Sequence, residues 1–194
     1  MNAVMQSQIE TRDLEALYAD LLGRTRDLPN DALLARLLSS HLTGNGALPY
    51  RLGLDARAFW LMVGRHFSGF CPTLPETVDT DLDPLRADER EDLYQLLIAH
   101  SAGNDPSEAW IARIVAAACM ASDHLWQDLG LASRTELSRL MNDNFPELAA
   151  ANDRDMKWKK FLYKQFCERE GVYTCRAPSC EVCVDYAKCF GPEV

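Results

Sequence analysis

The stretch Asp105-Pro-Ser-Glu-Ala-Trp-Ile-Ala-Arg-Ile-Val-Ala-Ala-Ala-Cys-Met120 decides the fold class of this chain. Asp105 is a capping residue, Pro106 takes the first helical position, where its missing N–H costs nothing, and Glu108 stands three residues after the cap. Trp110, Ile111, Ile114, Val115, Ala118 and Cys119 then recur at helical spacing. This is the most apolar helix of the sequence and the expected centre of a bundle.

The segments on either side repeat the same period. Upstream, Asp88 opens a helix with Leu93, Leu96, Leu97 and His100, and Asp55 opens one with Phe59, Trp60, Val63 and Phe67 before Gly69. Asn30 is placed to cap a stripe of Leu33, Leu34, Leu37, Leu38 and Leu42 that Gly44 terminates. Ser7 and Glu10 have capping-box spacing ahead of Leu14, Leu17, Tyr18, Leu21 and Leu22, a run that ends at Gly23. Downstream, Ser133 and Glu136 form a second capping box before Leu137, Leu140 and Met141, and Asn152 or Asp153 starts a last long helix ending near Gly171. No segment alternates with the period of a strand, and no internal repeat is evident. The expectation is an all-α bundle of about six to seven helices with a C-terminal cysteine-rich metal-binding loop. Residues 1–171 form the helical domain, with an acidic linker over about 69–87 that holds Pro72, Pro75 and Pro84, and residues 172–194 form the loop packed on it.

The chain has 194 residues, 20 basic and 29 acidic, for a net charge of −9. That balance argues against a nucleic-acid binder or a protein drawn to anionic membranes by a long-range field, so any anion site must be local. Met1 to Asp13 lack a basic start followed by an apolar run, and no stretch has the apolar length that crosses a bilayer, so a cytoplasmic location is expected. In that setting the seven cysteines point to metal chemistry rather than stapling, because Cys71, Cys119 and Cys167 lie far apart while the last four crowd together.

Those four read Cys175-Arg-Ala-Pro-Ser-Cys180-Glu-Val-Cys183-Val-Asp-Tyr-Ala-Lys-Cys189, a C-x4-C-x2-C-x5-C run. Four thiols on one short loop can converge on one compact object, and thiolate is the preferred ligand of zinc, copper(I) and iron–sulfur clusters. Structural zinc sites usually pair two C-x2-C knuckles, whereas this loop has one such pair with wider gaps on either side. The spacing leans toward iron–sulfur, with zinc the alternative. An anionic cluster is stabilised by nearby cations, for which Arg176 and Lys188 are candidates; the bland reading of each is a solvated loop charge.

The C-terminal third resembles the NifQ family of nitrogen-fixation proteins. The likeness lies in Met156-Lys-Trp-Lys-Lys-Phe-Leu-Tyr-Lys-Gln-Phe-Cys167, in the complete cysteine run, and in Phe190-Gly-Pro-Glu193. Upstream it includes His124-Leu-Trp-Gln-Asp-Leu-Gly-Leu131, and His41 followed by Leu48-Pro49 and Leu52-Gly53-Leu54, so it extends over roughly residues 41–193. The resemblance implies a protein that supplies molybdenum for the iron–molybdenum cofactor of nitrogenase. It implies an iron–sulfur cluster of 3Fe-4S or 4Fe-4S type that takes up molybdenum, arriving as molybdate or a Mo–S species, with Cys175, Cys180, Cys183 and Cys189 as ligands. The recipients it implies are the NifEN-type cofactor scaffold and the nitrogenase iron protein NifH.

Other residues carry both a sharp and a bland reading. Cys167 is a candidate fifth or transient ligand or a helix-terminal structural thiol, Cys119 is core filling, and Cys71 is a linker thiol. His124 is the candidate molybdate-contacting histidine, against a hydrogen-bonded or capping role. His66 and His100 fall near helix C-termini, where the helix dipole favours an imidazole. Lys157, Lys159, Lys160 and Lys164 make the last helix locally basic. They are read either as a face that docks an acidic partner or draws molybdate toward the loop, or as a solvated surface. No Ser-His-Asp arrangement, phosphate-binding glycine loop or H-E-x-x-H appears, so the expectation is a metal-cluster carrier rather than a conventional enzyme. A zinc-stabilised helical interaction module is the competing class.

Overall fold

The computed structural model of the protein describes residues 13–74, 84–169, 171 and 186–190. Among them are ten α-helices and no strand: α1 (Leu14–Leu22), α2 (Asp31–Leu42), α3 (Ala56–His66), α4 (Ala87–Ala99), α5 (Ser107–Ala118), α6 (Leu125–Asp128), α7 (Arg134–Asn144), α8 (Pro146–Ala151), α9 (Trp158–Arg169) and α10 (Tyr186–Phe190). The all-α expectation is met, and its six to seven helices correspond to the longer members; α6, α8 and α10 are short additions of four to six residues. No helix among the described residues is long and apolar enough to cross a membrane.

Helix α5 is central, as its composition requires. Ile111, Ala112, Ile114, Val115, Ala116, Ala118 and Cys119 are all buried, and α5 packs on α4, α3, α6 and a turn at Tyr50–Gly53. Its start is built as the sequence suggests: Pro106 has helical angles (φ −57°, ψ −20°), and Asp105 accepts the Ser107 N–H at 2.8 Å. Glu108 is buried yet satisfied, because its carboxylate accepts the N–H groups of Gly103, Asn104 and Asp105 at 2.7, 2.8 and 3.1 Å.

Several local expectations are corrected. The start of α1 is capped by Asp13, which accepts the Glu15 N–H at 3.0 Å, while Ser7 and Glu10 lie outside the described residues. Asn30 occupies the position before α2 but in a left-handed conformation (φ 67°), and its side chain caps nothing. Its amide instead donates to Ser107 Oγ at 2.9 Å and Asn144 Oδ1 at 2.8 Å, tying together the starts of α2 and α5 and the end of α7. Asp31, the first residue of α2, accepts the Arg26 and Leu28 N–H groups of the preceding loop and lies 2.6 Å from His66 Nδ1. His66 stands in the last turn of α3, as expected of a residue near a helix C-terminus, and is in addition a fully buried partner of that carboxylate. Trp60 sits at a core spacing but is 44% exposed. The last long helix begins at Trp158, not at Asn152 or Asp153, because the Asn152 side chain bonds back to Met156 N–H and C=O at 2.8 and 2.9 Å and makes a loop instead.

Two of the motif glycines have packing reasons. Gly53 (φ +78°) closes a turn in which Arg51 and Leu52 are also left-handed, and a Cβ on it would stand 2.5 Å from Ala117 Cβ of α5. Gly130 (φ +70°) lies so close to α2 that a Cβ would meet Ser40 Cβ at 2.5 Å. There Ser40 Oγ donates to Gly130 C=O at 2.6 Å and Ala47 N–H donates to Asp128 C=O at 2.8 Å. These contacts fix the His124–Leu131 segment against the end of α2.

Candidate functional site

The base of α9 is the organising point. Residues 152–157 are braced by the Asn152 side chain and by Arg134 of α7, which donates to the carbonyls of Asp155 and Met156 at 2.9 and 3.1 Å. The Lys157 N–H so presented donates to Cys189 C=O of α10 at 2.8 Å. Cys189 and Phe190 are partly buried against the core, so the last cysteine of the run is anchored to the helical body.

Beside this anchor, the segment between α5 and α6, the base of α9 and α10 enclose a cleft of about 410 Å3. Its walls carry His124, Asp123, Lys157, Lys159, Lys160 and Lys188. The four-lysine group expected to form one basic face of the last helix is thereby divided. Lys157, Lys159 and Lys160 face the cleft, whereas Lys164 lies 3.6 Å from Glu168 on an exposed part of α9. Lys159 reaches inward, donating to Ala121 C=O at 2.8 Å and pairing with the carboxylate of Asp128, which is 1% exposed.

A second set of charges supports the same wall from below. Arg86 forks onto Glu89 at 2.7 and 2.8 Å and donates to Met120 C=O at 2.7 Å and to Tyr163 at 3.1 Å, and the Tyr163 hydroxyl donates to Glu89. The Arg86 guanidinium holds the Glu89 carboxyl below the usual carboxylate range. Burial, then the bond to Glu89, raises the Tyr163 hydroxyl above its ordinary value. Burial also pushes the Cys119 thiol up to about 12, so this cysteine stays protonated and inert in the core. Sequence reasoning missed Asp128, Asp123 and the Arg86–Glu89–Tyr163 set. Asp128 and Tyr163 lie inside segments that carry the family likeness, which was the available signal.

The sequence-derived candidates are distributed as follows. His124 and Lys188 both line the cleft, and Lys188 is exposed on α10 beside Cys189. Cys175, Cys180, Cys183 and Arg176 lie outside the described residues. Cys167 is in the last turn of α9, ten residues past the Lys157 contact with Cys189, which is about 15 Å along the helix axis. Two ligands of one zinc ion are at most about 4.6 Å apart at metal–sulfur bonds of about 2.3 Å, so Cys167 and Cys189 are not placed to share one. Cys71 is exposed. His41 lies in the last turn of α2, and His100 is 2.9 Å from Glu147. A larger cleft of about 620 Å3 between α1, α2 and α7 has neither thiol nor imidazole on its walls.

Among the described residues, no three His, Cys, Asp or Glu side chains are grouped to hold a metal ion. The cysteine run is a donor set of another kind, made of thiols alone; its one described member, Cys189, is a half-buried free cysteine. That set fits a soft metal or an iron–sulfur cluster.

Fold and site together define a helical protein whose C-terminal four-cysteine segment ends beside a basic cleft. Its sequence matches the NifQ family model over residues 33–191, and the chain belongs to the NifQ family of nitrogen-fixation proteins. It is 43% identical to Protein NifQ of Azotobacter vinelandii over 87% of this chain and 91% of that one. It is 40% identical to Protein NifQ of Rhodobacter capsulatus over 86% and 92%, and 39% identical to Protein NifQ of Klebsiella pneumoniae over 81% and 96%. The family-model match begins inside α2, at residue 33. No solved structure matches this chain.

Proposed function

We propose that this protein is an iron–sulfur cluster carrier that supplies molybdenum for assembly of the nitrogenase iron–molybdenum cofactor. The observation that carries the reading is the all-thiol C-x4-C-x2-C-x5-C run of a NifQ-family chain, with its final cysteine hydrogen-bonded to the helical body. Cys175, Cys180, Cys183 and Cys189 hold the cluster, and its sulfides offer soft donors to molybdenum, which is the cargo. The chain's own residues provide the mount: the Lys157 N–H fixes the Cys189 end of the run, while the cleft lysines set a positive potential beside it. The role is that of a carrier in the cytoplasm, with the NifEN-type scaffold and NifH as recipients.

The test is anaerobic purification with iron, sulfide, molybdenum and zinc analysis and visible and EPR spectra, repeated for Cys→Ala variants at positions 175, 180, 183 and 189. Stoichiometric iron and sulfide that disappear in the variants, together with molybdenum uptake, are expected. Zinc alone, persisting after anaerobic reconstitution with iron and sulfide, would sink the carrier reading and leave a zinc-stabilised interaction module.

A further inference from the structure

The outer face of α3 carries apolar residues that the fold leaves uncovered. Phe59, Met62, Val63 and His66 form its buried face, while Arg57, Trp60, Leu61 and Gly64 recur at i, i+3, i+4 and i+7 on the opposite side. Trp60 is 44% and Leu61 54% exposed; the other large exposed apolar residues among those described, Leu22 and Leu85, stand on other elements. Single exposed leucines are ordinary, but a contiguous pair on a helix that already has a full core face is not. The Trp60 ring is braced edge-on against buried Phe59, with centroids 5.2 Å apart, so little freedom is lost when a partner covers it. Gly64 leaves a gap beside the two side chains, because a Cβ on it would meet nothing within 4 Å.

The charge of this helix has one sign. Ala56–His66 holds Arg57, Arg65 and His66 and no acid, in a chain of net charge −9. Arg65 pairs with Asp105 at 2.7 Å, and Asp55 is taken up by the helix start, where it accepts the Ala58 N–H at 2.8 Å. Arg57 is exposed and has no ion-pair partner among the described residues. An arginine beside a tryptophan is the composition of an interface anchor, and its complement is an apolar pocket with an acidic rim. The same helix of a second copy does not supply one. Two-fold pairing would set Arg57 against another acid-free helix and bury roughly 300 Å2 per copy, against the about 800 Å2 of a standard interface.

We propose that the outer face of α3 is a docking ridge for a partner protein that presents an apolar pocket rimmed by carboxylates. That the partner is a recipient of the cluster rests on the carrier reading above; the ridge and its chemistry rest on α3 alone.

The test is biolayer interferometry of the full chain, purified anaerobically, on immobilised NifEN-type scaffold and on immobilised NifH. Binding to at least one of them is expected, weakening as salt rises. Trp60→Ala, Arg57→Glu and Gly64→Glu should each weaken it by at least about tenfold. Gly64→Glu fills open space on the helix surface, so it tests the ridge without touching the core. Leu22→Ala, at the end of α1, should change nothing. No binding to either protein, binding indifferent to the α3 variants, or equal loss with Leu22→Ala would overturn the proposal. So would a dimer of this chain, seen by sedimentation, that Gly64→Glu dissociates, since it assigns the ridge to a second copy. The iron, sulfide and molybdenum contents of the variants should match the unaltered chain, and metal lost in step with binding would also overturn it. Zinc alone in every preparation, with α3-dependent binding intact, would instead sink the carrier reading and leave the ridge standing.

Discussion

Asp128 shows how one residue can hold this site together. It is 1% exposed, and its carboxylate meets the Lys159 ammonium, which also donates to Ala121 C=O, so the pair joins α6, α9 and the segment after α5. Removing one partner of a buried ion pair leaves an uncompensated charge, which is far costlier than losing the attraction itself. Lys159→Ala should therefore destabilise the fold by about 3–5 kcal/mol, read from urea denaturation. Replacing both partners, as in Lys159→Met with Asp128→Leu, should recover most of that loss; a single variant no worse than the double one would contradict this account. Such pairing was not legible in sequence, where Lys159 looks like one of four equivalent lysines. Burial and a partner 31 positions away make it different.

At the scale of the element, α4 and α9 are locked by Arg86, Glu89 and Tyr163, and this lock carries a pH dependence with a definite sign. The folded-state value of Glu89 lies below its unfolded value because Arg86 and Tyr163 favour the ionised carboxylate. The unfolded chain therefore takes up protons first as pH falls. The stabilisation is fully present above the usual carboxylate range of about pH 4 and is lost as pH falls through the folded-state value. Asp105 acts in the same direction: burial opposes its charge, but the Ser107 N–H and hydroxyl and Arg65 outweigh that effect. Urea midpoints measured from pH 7 to pH 3 should decline only at the acid end, and Glu89→Gln should flatten that decline. An unchanged slope in the variant would show that the lock does not contribute. The helices themselves were largely legible, because periodicity and caps are local; Asp55 and Ser133 cap α3 and α7 as their spacing suggests. Asn30 was misread because its amide found partners 77 and 114 positions away, and those tertiary bonds displaced the local cap.

At the scale of the whole molecule, the Lys157–Cys189 hydrogen bond couples the cysteine run to the bundle. A ligand that binds only the folded arrangement stabilises it by mass action, so loading the run with the proposed cluster should raise the melting temperature of the helical body. Removing the metal anaerobically with a chelator should lower it again, and Cys189→Ala should abolish the difference; scanning calorimetry of the loaded and stripped chains checks this. Equal melting temperatures would mean that the run and the body are energetically independent.

The sequence by itself determined the all-α class, the central place of α5, the approximate extents of the longer helices and the presence of four closely spaced thiols. Each of these follows from spacing along a few turns of chain, or from which elements a residue's side chain contains. Only the tertiary structure decided that His124, the base of α9 and α10 share one basic cleft, that Lys164 stands apart from it, and that His66 is buried against Asp31. Those are contacts between segments tens of residues apart, made when helices with interchangeable apolar stripes choose their neighbours, and charge at such a distance leaves no periodic trace in the chain.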